Sequence, residues 1–288
     1  IFTYSNGFLN GKTGIEYVYD EKLRVLFGKK IYEVDASGRL LQEKQMIPAV
    51  AGEDIFTSLD LSSQKVAYDE LNNRRGAVVA VDINDGSIVT YVSSPSFSVN
   101  KIANGLTQNE FDELINDDDK PFFDRAAQGR YSPASTIKPA IGLFGIDKDI
   151  LDWEYTIQDP GFFILPEDGR IYRGWKKGGH GEINLKDAII ESSNTFFFSL
   201  AYQTEIEELR AHLSNFGFGK NVCDDCFMPD NGLLPSPRWK MNTHNFGWFK
   251  GDTVNVGVGQ GYINATPIQL AYYSAFLATK GNINKFSF

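Results

Sequence analysis

The sequence predicts a mixed α/β (α+β) domain built around an interrupted sheet. Three observations point there. A strand–turn–strand pattern, GAVVAVDINDGSIVTYVSS, lies at residues 76–94; helical stripes occupy the middle of the chain, as in Ile206, Leu209, Leu213 and Phe216; and an apolar segment, LAYYSAFLA, follows a glycine-rich stretch near the end. A chain of 288 residues suits one core of roughly 200 residues plus a smaller module. Its 42% hydrophobic and 14% aromatic residues fit a folded protein.

Taken in order, IEYVYDEKLRVL (15–26) predicts a short helix, and KKIYEVDASGRLLQEKQMI (29–47) a hairpin about the Asp35–Gly38 turn. Ser62 is the expected N-cap of a helix running to about Leu71, with Val66, Ala67 and Leu71 on its apolar side. In the next hairpin, Ala77–Val81 and Ile88–Val92 flank Asn84-Asp85-Gly86. The nearly continuous apolar run of its first arm predicts a strand buried beneath helices. Residues 100–134 read as polar and turn-rich, after which Pro139 occupies an early turn of an apolar helix. Asn184 and Asp187 have capping spacing before Leu185, Ala188 and Ile189, and Thr204 with Glu207 repeats it before the Ile206 stripe, which Gly217 stops.

The formal charge of −9 argues against nonspecific binding to nucleic acid, although Arg170, Arg173, Lys176 and Lys177 surround Trp175. Cys223 and Cys226 form one C-x-x-C pair, compatible with a local disulfide, free thiols, redox chemistry or half a metal site. No run approaches the ~18–20 apolar residues of a membrane span. The chain starts at Ile1 without an initiator methionine and reads as a piece of a longer protein.

Ser135-Thr136-Ile137-Lys138 has S-x-x-K spacing. On a helix, residues three apart share a face with β-carbons roughly 5–6 Å apart, so the Lys138 amine is expected to reach the Ser135 hydroxyl directly. A serine is a weak nucleophile until a base takes its proton, and a lysine serves only if its pKa falls well below ~10.4. The apolar neighbours Pro133, Ala134, Ile137, Pro139, Ala140 and Ile141 push in that direction. At a helix N-terminus, the Ser135 backbone N–H also becomes a candidate oxyanion donor. The same spacing recurs at Ser62–Lys65 and Ser98–Lys101, where a capping serine and a solvated lysine suffice. A second polar cluster, Ser192-Ser193-Asn194, lies between Ile189–Ile190 and Phe196–Phe198. It reads either as an interhelical turn with capping serines or as a loop facing the nucleophile. In the second case Ser192 relays a proton and Asn194 holds the lysine or a substrate amide.

These motifs are embedded in longer text that resembles the class B penicillin-binding proteins, in particular the elongation-type peptidoglycan D,D-transpeptidases. GKTGIEYVYDEKLR, IPAVAGEDIFTSLDLSSQ, RGAVVAVDINDGSIVTYVSSPSF and FFDRAAQGRYSPASTIKP follow one another in family order. So do DPGFFILP, WKKGGHGEINLKDAIIESSNTFFF, GLLPSPRWK and VGVGQGYINATPIQLAYYSAFLA. The resemblance implies a penicillin-binding transpeptidase fold, with an antiparallel sheet flanked by helices. Residues 1–58 would be part of an N-terminal pedestal and 59–288 the transpeptidase domain. It implies Ser135 as nucleophile, Lys138 as base, Ser192 as relay, Asn194 as substrate-binding group and Trp175 beside the substrate path, although a plain core aromatic also accounts for Trp175. The implied substrates are peptidoglycan stem peptides, with beta-lactams acylating the same serine and no cofactor. The implied setting is the periplasmic face of a bacterial inner membrane, with one N-terminal anchor outside this soluble piece. A membrane glycosyltransferase and an MreC-type rod-complex protein are the implied partners.

Departures matter too. Lys12-Thr13-Gly14 spells K-T-G but matches the pedestal; the catalytic K-T-G of the family lies well after the Gly259-Gln260-Gly261 segment, so its strand is expected to be missing. LRVLFGKK and the tail TKGNINKFSF are expected to mark joins. Ala134 stands where the family often has glycine and would be penalised at positive φ. Some relatives bind zinc through Asp, Asp, His and Cys; Asp159 and His180 match two positions, whereas Gly174 and the Ser192–Ser193 pair replace the others, so no metal is expected. A D,D-carboxypeptidase or beta-lactam hydrolase would use the same serine and lysine, and a non-catalytic scaffold would use neither.

Overall fold

A computed structural model describes residues 2–5 and 8–288, with side chains from Asn10 onward. The chain opens with a backbone hairpin of β1 (Phe2–Ser5) and β2 (Phe8–Gly11). The helix expected over 15–26 forms in two pieces, α1 (Gly14–Val18) and α2 (Asp20–Leu23), broken at Tyr19. Lys12-Thr13-Gly14 is the corner between β2 and α1. The expected hairpin follows as β3 (Lys29–Val34) and β4 (Leu40–Ile47). Its turn closes because Asp35 Oδ1 accepts from the amides of Ser37 and Arg39 while Gly38 adopts φ +80. This N-terminal module meets the rest of the molecule where Tyr19 Oη donates to Asp225 (2.7 Å) and Tyr17 packs edge-on to Phe227.

Next come α3 (Leu61–Leu71) and the hairpin of β5 (Gly76–Val81) and β6 (Ile88–Ser94). The cap of α3 is Asp60, not Ser62: its carboxylate accepts from Ser63 N at 2.7 Å. β6 alternates buried and half-buried residues, as a strand covered on one face should. β5, expected to be buried, is only half-buried, because its second edge pairs with no strand among the described residues. The expected sheet is correspondingly divided among those residues into five two-stranded antiparallel ribbons. Residues 100–134 hold more helix than their polarity suggested: α4 (Val99–Ala103) and α5 (Gln108–Asn116), the latter closed by a Thr107–Glu110 capping box.

The main core lies in the following segment. A 3-10 turn, Ala134–Ile137, runs into α6 (Lys138–Asp147) with Pro139 in its first turn. An arm of four short strands then leaves and returns: β7 (Thr156–Asp159), β8 (Phe162–Ile164), β9 (Ile171–Arg173) and β10 (Gly181–Asn184), with β7 paired to β10 and β8 to β9. α7 (Leu185–Ile190), capped by Asn184 as expected, leads to α8 (Asn194–Tyr202), whose sequence NTFFFSLAY is apolar nearly all round because helices and the strands of the arm pack around it. α9 (Ile206–Asn215) buries Ile206, Leu209 and Leu213; its N-cap is Glu205, since the Thr204 hydroxyl turns back to Ala201 O. α10 (Pro237–His244), α11 (Lys250–Val256) and α12 (Pro267–Ala278) complete the layer.

A second, smaller core joins Ile88, Val222, Ile268, Ala275 and Phe286 to Cys223 and Cys226, which form a local disulfide. Both stretches expected to mark joins are folded backbone. Leu26 and Val50 exchange two backbone hydrogen bonds, and the final segment turns back at Gly281 so that Phe286, fully buried, bonds to Val222 O. No described helix is long and apolar enough to cross a membrane.

Candidate active site

Ser135 is set by an unusual turn. Ala134 adopts φ +49, the left-handed region that costs a non-glycine residue about 1–2 kcal/mol. Its amide donates to Gly259 O at 2.9 Å, and Gly259, itself at φ +69, lies directly against it. The Thr136 hydroxyl closes the other side by donating to Pro133 O at 2.6 Å. Ser135 is thereby presented to solvent on the first turn of the 3-10 segment, where the Thr136 amide is taken up by Pro133 O (3.3 Å). Three residues on, Lys138 is 1% exposed.

The lysine tail runs beneath the serine to the α7–α8 junction. Its Nζ donates to Ser192 O (2.8 Å), Ser192 Oγ (3.0 Å) and Asn194 Oδ1 (2.7 Å), which occupies all three donors of an ammonium. Ser192 Oγ in turn donates to Ser135 Oγ at 3.0 Å. The direct Lys138–Ser135 contact expected from the spacing is therefore replaced by a path through Ser192, because the 192–194 segment takes the lysine's donors. Burial pushes the Lys138 pKa down to about 8.

The Ser192-Ser193-Asn194 segment combines a capping serine with two side chains turned toward the lysine. Ser193 caps α8, accepting from Phe196 N at 3.2 Å, while Ser192 and Asn194 face the lysine. Ser192 is left-handed, with φ +53. Trp175 is 62% exposed, so it is no core aromatic; its Nε1 donates to Glu191 O at 3.0 Å and its ring packs edge-on to His180. Ser98 and Lys101 form a local helix cap, and Lys65 pairs with Asp69 on the surface, so the other two S-x-x-K spacings build no site.

Three supporting roles escaped the sequence reading, although Gly259 and Asp159 were named there for other reasons. Tyr273, from α12, receives the Ala140 amide at the start of α6 (3.3 Å), a contact between distant segments that no local pattern signals. Gly259 had a signal, since only glycine allows such close backbone approach at positive φ. The third is Asp159, whose Oδ2 meets His180 Nδ1 (2.6 Å) and accepts from Ser193 Oγ (2.7 Å), while Oδ1 accepts from Gly161 N. Burial raises the Asp159 pKa, but hydrogen bonds led by His180 and Ser193 outweigh it and hold the carboxyl below its ordinary value. These residues supply too few donors for zinc: Asp159 and His180 bring one carboxylate and one imidazole, Gly174 and Ser193 add no ligand of the usual kind, and among the described residues no three His, Cys, Asp or Glu converge. Purified protein is expected to carry well under about half a zinc equivalent by elemental analysis. A stoichiometric ion would overturn this.

The penicillin binding protein transpeptidase domain matches residues 76–288, and the penicillin-binding protein dimerisation domain matches residues 2–57. The chain is 40% identical over 279 residues to the peptidoglycan D,D-transpeptidase MrdA of Acinetobacter baumannii, covering 97% of this chain and 42% of that protein. It therefore spans less than half of that relative's length. The structure of Pseudomonas aeruginosa PBP2 in complex with WCK 5153 superimposes with a TM-score of 0.85 at 37% identity, over 97% of this chain and 59% of that one. The complex between PBP2 and MreC from Helicobacter pylori gives 0.88 at 32% identity, over 97% and 52%. Since the first match runs unbroken from the start of β5 through the Ser135 turn and the 192–194 junction to Phe288, the chain belongs to the penicillin-binding protein transpeptidase domain family.

Proposed function

We propose that this chain is the catalytic part of a peptidoglycan D,D-transpeptidase, with residues 1–58 as part of its pedestal and 59–288 as its transpeptidase domain. One observation carries the reading: an exposed hydroxyl, Ser135, is joined through Ser192 to a buried amine whose pKa lies near working pH. With Lys138 neutral, the hydroxyls rotate. Ser135 then donates to Ser192, and Ser192 donates to the lysine lone pair. Ser135 Oγ attacks the carbonyl of the penultimate D-alanine while its proton passes through Ser192 to Lys138. The Ser135 amide stabilises the oxyanion. As the intermediate collapses, the proton returns along the relay to the departing D-alanine amine, leaving an acyl-serine. The amine of a neighbouring stem peptide attacks this ester and loses its proton to the same relay; as the bond to Ser135 Oγ breaks, the relay returns that proton to the departing oxygen, which releases the cross-link and restores the serine hydroxyl. Asn194 orients the lysine and the substrate amide, and exposed Trp175 borders the substrate path.

A beta-lactam would acylate Ser135 by the same first step. The similarity to a PBP2 seen with MreC supports an MreC-type partner, and a membrane glycosyltransferase would supply the glycan strands. Action on stem peptides places the domain on the periplasmic side of the inner membrane, tethered by a single N-terminal span in the whole protein.

The test is peptide mapping of the full-length protein after reaction with a fluorescent penicillin. One adduct per chain is expected, on the peptide containing Ser135; an adduct elsewhere, or none, overturns the reading. Incubating the acylated protein with an amine acceptor separates transpeptidase from hydrolase, since the amide product should then predominate over the hydrolysed acid.

A further inference from the structure

Ser192 must hold a left-handed backbone for its hydroxyl to sit between Lys138 and Ser135, and a serine released from its surroundings leaves that region. The two peptide planes that flank it are tied to α7 on their N–H sides, by Ser192 N to Ile189 O (3.2 Å) and Ser193 N to Ala188 O (2.9 Å), and the carbonyl of each is held from elsewhere. The plane after it carries Ser192 O, which Lys138 Nζ holds from inside the core. The plane before it carries Glu191 O, which receives Trp175 Nε1 from outside. One residue further, the Ser193 hydroxyl donates to Asp159 Oδ2. Both outer contacts come from the four-strand arm: Asp159 ends β7 and Trp175 follows β9. His180, which joins the Trp175 ring to the Asp159 carboxylate, immediately precedes β10. The arm is wound tightly where it matters. A β-carbon on Gly179 would lie 1.9 Å from Asp159 O, and Gly174 N donates to Gly161 O.

We propose that Asp159 and Trp175 are positioning residues that clamp the 191–193 backbone from the arm side and so hold Ser192 in the relay. The inference rests on Ser192 being the relay, and it assigns Trp175 a task performed by its N–H, separate from any contact its ring makes with substrate. Releasing either contact lets the Ser192 hydroxyl drift, and a misplacement of about 1 Å in such a chain lowers a reaction rate about 100-fold.

The experiment uses the full-length protein and stopped-flow acylation by a fluorescent penicillin, which separates the reversible binding constant from the acylation rate constant. Asp159→Ala and Trp175→Phe are each expected to slow acylation about 10–100-fold with the final labelling stoichiometry unchanged, and Asp159→Ala to leave the binding constant unchanged as well. Asp159→Asn, which keeps an oxygen for the Ser193 hydroxyl, should recover most of the rate. A merely structural role would lower the labelled fraction instead of the rate constant. If Asp159→Ala does not fold, Trp175→Phe decides alone: it keeps an aromatic ring but removes the N–H together with the five-membered ring, so the lost donor is read from the acylation rate constant and the lost ring area from the binding constant. Parental rates in the folded variants, with Ser192→Ala impaired, would sink the clamp and leave the relay standing. A parental rate in Ser192→Ala would sink the relay, and the clamp with it.

Discussion

Lys138→Met is expected to slow penicillin acylation about 100- to 10,000-fold, the range by which a positioned general base contributes. Methionine nearly matches the buried tail in length, so the packing of α6 survives while the proton acceptor is lost. In the parent the rate should rise with pH around a midpoint near 8, because only the neutral amine accepts the proton and burial brings Lys138 to about 8. The variant should lose that rising limb. Stability supplies a second readout with a definite sign. Below pH 8 the amine is charged in both folded and unfolded chains, and the folded one carries the cost of burying it. Between about 8 and the ordinary 10.5 the folded chain has released a proton that the unfolded chain keeps, so stability rises with pH in that window. At ~1.36 kcal/mol per unit the difference corresponds to about 3 kcal/mol. Denaturant unfolding across this window should show the rise in the parent and not in Lys138→Met. A variant that acylated at the parental rate would remove Lys138 from the mechanism.

How much of this was legible in the sequence depended on whether a signal was local. The Asp35–Gly38 and Asn84–Gly86 turns, the Asn184 cap and the Ile206 stripe are short-range patterns, and each forms as its chemistry dictates. Capping placed by spacing alone slipped at Ser62 and Thr204, where neighbouring Asp60 and Glu205 occupy the cap positions. The Thr107–Glu110 box was written plainly but was masked by the polarity around it. At the site, Ser135, Lys138, Ser192 and Asn194 were named in advance and the structure brings them together. Their order was not legible. Spacing within one helix says which side chains share a face, but the lysine's choice of partner is made by the α7–α8 junction, 54 residues away. The Asp159–Ser193 contact is hidden for the same reason: it is assembled by an arm whose strands are three or four residues long, too short for a periodic signal.

Gly259→Ala is expected to damage fold and chemistry together, since a glycine far along the chain supports the nucleophile turn. A β-carbon there would lie 2.2 Å from Ala134 O and 2.7 Å from Ala134 N, both backbone atoms. No side-chain rotation relieves such an overlap, so the 133–135 turn must move or the 257–261 loop must open. Either response breaks the hydrogen bond from Ala134 N to Gly259 O, and the left-handed strain at Gly259 adds to it. Overpacking of this kind costs about 1–3 kcal/mol, and the left-handed alanine about 1–2 more. Because Ala134 precedes Ser135, the displaced turn also carries the nucleophile away from Ser192. Acylation should fall by about 100-fold or more in whatever fraction remains folded. Gly261→Ala is the matched comparison: it is also left-handed, at φ +75, but its added carbon meets only the Asn255 side chain, at 3.0 Å. It should lose stability from strain and from crowding against Asn255, with little change in the rate of the folded fraction. Equal rate losses in the two variants would mean that the loop acts through general destabilisation. A loss confined to Gly259 would show that the left-handed Ala134, which conflicts with the ordinary preference of its residue type, is held in place by a contact from 125 residues further along the chain.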